Sequence, residues 1–160
     1  MPVRRAGLIG LALVFLLSSP AVSQSPEWFG TWRLNLQQST YSPGPPPHVR
    51  ATRRVEAFDD GIRIVENLVR TRGGVTHLEW TGRLDGRDYR VHGVDLFVTY
   101  AYREVDAHTL EGIIKVDGAV TSTSRETLSP DGTTLTIVTI GQNSQENLKT
   151  TTVYQRIGDL

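Results

Sequence analysis

The sequence predicts an all-β domain folded as an antiparallel up-and-down β-barrel of about 8–10 strands. Three observations lead there. Turn dipeptides (Asp60-Gly61, Gly73-Gly74, Asp85-Gly86, Asp117-Gly118 and Asp131-Gly132) punctuate the chain from Glu27 onward, and Gly with Asp accepts the positive φ of tight hairpins. The runs between them alternate apolar and polar residues, as strands with one buried and one wet face do, and no window of helical period competes. The short connections leave little room for the crossovers of a two-sheet sandwich, whereas closing the sheet removes two long edges.

Expected strands cover residues 27–36, 49–58, 62–72, 75–84, 88–92, 96–105, 109–116, 119–128, 133–140 and 148–157. The first carries Gly30-Thr31-Trp32-Arg33-Leu34-Asn35. The connection after it holds Pro43, Pro45, Pro46 and Pro47, which lock φ and remove ladder donors, so a stiff extended loop is expected. It serves either as a spacer over one barrel end or as a lid with Tyr41 as an aromatic contact. In the second strand Arg50 and Arg54 share a face and Arg53 points the other way. In the fourth, Leu78, Trp80 and Leu84 oppose His77, Glu79 and Arg83. Tyr100 and Tyr102 share parity in the sixth, as do Leu110, Gly112, Ile114 and Val116 in the seventh.

Residues 1–23 read as a signal peptide. Arg4 and Arg5 precede an apolar run from Ala6 to Leu17, and Ala21-x-Ser23 fits a small-x-small cleavage site. The run falls short of the ~20 residues that span a bilayer, so no stable membrane anchor is expected. Residues 24–160 then form one domain, with 15 basic and 17 acidic side chains once Arg4 and Arg5 are removed from the 17 of each sign. That balance gives no electrostatic case for nucleic acid. No cysteine is present, which excludes thiolate chemistry and favours a bacterial envelope protein, periplasmic or secreted, with a core that needs no disulfides. A monomer is the default expectation.

The ordered set "GTWRLN", "STYSPGPPP", "DGRDYRVHG", "LSPDGTTLTI" and "TVYQR" resembles the calycin superfamily of lipocalin-like and fatty-acid-binding-protein-like barrels, and within it small exported bacterial lipocalin-like proteins. The resemblance implies a cup-shaped barrel that holds a small apolar ligand, and it implies no catalytic residues. It also implies that a first-strand Trp is capped by a last-strand Arg, here Trp32 and Arg156, closing one end of the cup, with Gly30 keeping the neighbouring surface bare and any ligand at the other end. The absence of cysteine and of a C-terminal helix departs from typical eight-stranded lipocalins and admits a ten-stranded barrel.

No nucleophile elbow, phosphate loop or dinucleotide fingerprint occurs. His77 with Glu79, joined by His92 from a nearby strand, is the best local metal or catalytic grouping, but that face also bears Thr81 and Arg83 and reads as solvated. No catalysis, metal or cofactor is therefore expected. Trp80, Tyr100 and Tyr102 are the expected apolar lining of a ligand cup, with Arg53 and Glu66 as inward polar anchors. An inward Arg would suit a carboxylate ligand. The leading expectation is an exported barrel binding a small apolar or amphipathic molecule. The competing one is a protein-interaction or inhibitor module with a solid barrel and the Pro-rich loop as its contact.

Overall fold

A computed structural model describes residues 26–142 and 148–158; the expected signal peptide lies outside the described residues. A short 3-10 turn, Pro26–Trp28, leads into strands β1 (Gly30–Leu34), β2 (Thr40–Ser42), β3 (His48–Phe58), β4 (Gly61–Arg70), β5 (Val75–Gly82), β6 (Tyr89–His92), β7 (Val98–Asp106), β8 (Thr109–Val116), β9 (Ala119–Leu128), β10 (Thr134–Gly141) and β11 (Lys149–Gly158). From β3 to β11 each strand pairs antiparallel with the next, and β1 bridges β3 to β11, so ten strands close on themselves. Closure gives each of these ten strands a neighbour on both sides, although β1 covers only half of β11.

Two expectations are corrected. The first strand begins at Gly30, because Pro26–Trp28 curls into the 3-10 turn. The Pro-rich connection is also not all loop. Tyr41, weighed above as a lid contact, lies in β2, which pairs Ser42 with Lys149 and Tyr41 with Thr150, while β1 occupies the other half of β11 from Leu34–Tyr154 to Thr31–Gly158. One strand path is thus interrupted at residues 35–39. Asn35 Oδ1 accepts from the Gln38 amide at 3.3 Å, forming a turn, and Ser39 Oγ accepts from the Val153 amide at 3.0 Å, which keeps β11 satisfied across the gap. Beyond β2, Pro46 and Pro47 present carbonyls to the Thr71 hydroxyl and amide at 2.6 and 2.9 Å.

The alternation read in the sequence sets the two faces. Inward-facing residues include Trp32, Val55, Ile64, Trp80, Tyr102, Leu110, Leu128, Leu135 and Tyr154, all buried. Large rings fit because glycines stand beside them. A Cβ on Gly82 would sit 2.6 Å from both Trp80 and Tyr89, and one on Gly112 would sit 3.0 Å from Tyr102. Trp80 and Tyr102 meet edge to face at 5.0 Å, Tyr100 and Tyr102 at 6.0 Å, the geometry that aromatic quadrupoles favour.

One end of the barrel is plugged. Trp28 is buried and donates from Nε1 to the Ala107 carbonyl at 2.9 Å, tying the 3-10 turn across to the β7–β8 hairpin. Trp32 is fully buried, and the Arg156 guanidinium lies 4.3 Å above its ring centre. Arg156 also donates from Nε to the Gly132 carbonyl at 2.7 Å, from Nη1 to the Phe29 carbonyl at 2.5 Å, and to the Glu27 carbonyl. Gly30 has φ +144°, and a Cβ there would fall 2.5 Å from Arg156 Nη1. The positive φ, together with this close approach, favours glycine at that position.

Candidate functional site

Along seven strands the inward-facing residues pass from buried to half-buried towards the end opposite the plug. Ile64 gives way to Glu66 and Leu68, Trp80 to Leu78, Tyr102 to Tyr100, Gly112 to Ile114, Ser124 to Ser122, Ile137 to Thr139, and Tyr154 to Thr152. The barrel is a cup, open where residues 35–47, 71–74, 93–97 and 117–118 connect the strands. Its wall is two-sided. Leu68, Leu78, Tyr100 and Ile114 form an apolar arc on β4, β5, β7 and β8; Ser122, Thr139 and Thr152 form a hydroxyl arc on β9, β10 and β11.

A charged group makes the floor. Arg53 on β3 is 4% exposed and Glu126 on β9 is 1% exposed. Arg53 donates from Nη1 to Glu66 Oε1 at 2.8 Å, and from Nη2 to both Glu126 oxygens at 3.1 and 2.9 Å. Glu66 faces Arg53 directly across the β3–β4 ladder, whereas Glu126 reaches it from the far side of the barrel. Burial alone would lower the Arg53 pKa, but Glu126, Tyr102 and Glu66 more than offset it, and the guanidinium is held well above its ordinary value. Burial pushes the Glu126 carboxyl up, with Arg53 opposing. Tyr102, the further neighbour of this pair, and Tyr100 and Tyr154 are raised first by burial and then by these carboxylates: Glu126 for Tyr102, Glu66 for the other two.

Beneath this group, towards the plug, lies a cavity of about 10 Å³ bordered by Trp28, Ile64, Glu104 and Leu110, room for nothing larger than a water molecule. The interior beneath Arg53 therefore has no room for an organic ligand.

The structure brings all five expected ligand contacts inside the barrel. Only Tyr100 and Glu66, whose side chain is 16% exposed, stand in the open half. Trp80, Tyr102 and Arg53 are packed beneath them. Arg53 already holds two carboxylates, Glu66 on Nη1 and Glu126 on Nη2, and its buried Nε has no hydrogen-bond partner. Glu126 and Tyr154 escaped the sequence reading. The signal for Glu126 was its parity with Ser124 and Leu128, opposite Arg125 and Thr127. His77 is on the outer face, bonded through Nδ1 to Asn67 Oδ1 at 2.8 Å, and Glu79 is paired with His92 across the β5–β6 ladder. Among the described residues no three His, Asp or Glu side chains converge as metal ligands.

These features define a class: a closed antiparallel up-and-down β-barrel of ten strands, lipocalin-like in fold, with one extra strand. Compared with family models and with curated proteins, the sequence finds no match.

Proposed function

We propose that this protein is an exported carrier, resident in the bacterial envelope or secreted, that holds a small amphipathic molecule in its cup and performs no catalysis. The observation that carries the reading is the gradient from a packed, plugged end to a half-exposed interior of mixed character. An apolar arc opposite a hydroxyl arc suits a ligand with a hydrocarbon body and polar substituents, which is how small-molecule sites divide binding from orientation. The buried Arg53–Glu66–Glu126 group limits the depth to which that ligand enters.

Native mass spectrometry of the protein purified without detergent from its own host tests this. A mass above that of the chain, lost on organic extraction, is the expected result. A bare mass, with no change in Trp fluorescence across a panel of lipids and aromatics, overturns it.

A further inference from the structure

We propose that the cup takes a cationic amphiphile, a molecule whose ammonium group sits against Glu66 beside Tyr100; this rests on the carrier reading above. Charged groups facing the interior include Arg53, Glu66 and Glu126 at the floor and Glu104 beneath them. Arg53 has two carboxylate partners, Glu66 and Glu126. With Glu126 ionised the floor carries one net negative charge; with Glu126 protonated it is neutral. In neither state is it positive. A ligand carboxylate would place a third anion around one guanidinium whose Nη1 and Nη2 are already engaged.

Glu66 is the member of the group that reaches the open half. Arg53 bonds its Oε1 at 2.8 Å, which leaves Oε2 as an acceptor. Tyr100 lies on the apolar arc with its ring edge-on to Tyr102, Tyr154 enters from β11, and the phenols of both feel the Glu66 charge. Tyr41, opposite Thr150 on β2, adds a phenol near Tyr154. A half-exposed carboxylate in a tyrosine-bearing wall suits a desolvated ammonium, because an anion and an aromatic ring both attract it. At the rim stand His48 and Arg70, paired across β3 and β4. Burial lowers the His48 pKa, so it adds no charge at neutral pH. Arg70 is exposed and bonded to Thr76 Oγ1 at 3.0 Å, where solvent screens it.

Calorimetric titration at pH 7.5 with decyltrimethylammonium, decanol and decanoate, which share one tail length, tests the proposal. The ammonium is expected to bind about 10-fold or more tightly than decanoate, with decanol between them. Glu66→Gln should bring the ammonium down to about the level of decanol while decanol itself changes less than about twofold. Tyr100→Leu, which leaves the Arg53 group intact, should also weaken the ammonium more than decanol. Decanoate binding as well as the ammonium, or variants that weaken ammonium and decanol equally, overturns the head-group assignment while the cup stands. Failure of all three amphiphiles overturns the carrier reading itself.

Discussion

Arg156 and Arg53 sit at two levels of one barrel and do different work. Arg156 ties the last strand to the first by lying over Trp32 and by capping carbonyls at Phe29 and Gly132. Trp32→Ala should cost about 3–5 kcal/mol of stability through the cavity it leaves. In a double-mutant cycle with Arg156→Ala, the two losses should fall short of additivity by about 0.5–2 kcal/mol, the size of a guanidinium–indole contact. Strict additivity in urea midpoints would separate the two residues. Arg53 instead neutralises carboxylates that have lost their water. Arg53→Met should cost about 3–5 kcal/mol because Glu126 is left buried without a counter-charge, and Arg53→Met with Glu126→Leu should recover most of that loss. A double variant as unstable as the sum of its parts would show that the loss comes from packing rather than stranded charge. Parity placed Arg53 on the face opposite Arg50 and Arg54 in the sequence. Its true partner Glu126 was hidden because the two are 73 residues apart, and no local pattern reports contacts across a barrel.

Ten of the eleven strands were legible because each has a hairpin signal or a clean alternation beside it. β2 was not. It is three residues long, lies between the Asn35 turn and a run of prolines, and owes its strand form to the exposed half of β11 rather than to its own sequence. β6 is the other weak element, paired to β5 only through Glu79–His92 and Trp80–Val91 and to β7 only through Tyr89–Tyr100 and Arg90–Thr99. β8 and β9, by contrast, pair from Thr109–Thr127 to Val116–Ala119 with a single bulge at Thr121. Amide hydrogens of β6 should therefore exchange well before those of β8 and β9, since local opening follows the ladder that must break. Mass-resolved exchange of the corresponding peptides reads this directly, and equal protection would contradict it.

At the scale of the whole molecule, all five tyrosines hold their protons more tightly than a free phenol, each through burial first. A phenol whose folded pKa is raised stays protonated while the unfolded chain ionises. The unfolded state then binds fewer protons, and stability falls as pH rises above the ordinary value of 10.0. Thermal midpoints should be flat with respect to these groups below that pH and decline above it, and phenolate absorbance of the native protein should lag that of the urea-unfolded chain. Coincident titrations would show that the rings are not enclosed. The barrel itself was readable from the sequence, since turn chemistry and parity act locally. The resemblance put the closed end at Trp32 and Arg156; that Trp28 reaches Ala107 and that burial falls off along seven strands were not legible, because both depend on contacts across the barrel. The central claim is that the open half receives an amphiphile, and side-chain methyl NMR during titration with decyltrimethylammonium tests it most directly. Leu68, Leu78 and Ile114 inside the cup should shift, while Ile113, Ile140 and Ile157 on the outer surface stay still. Shifts confined to the outer set, or none at saturating ligand, would contradict it.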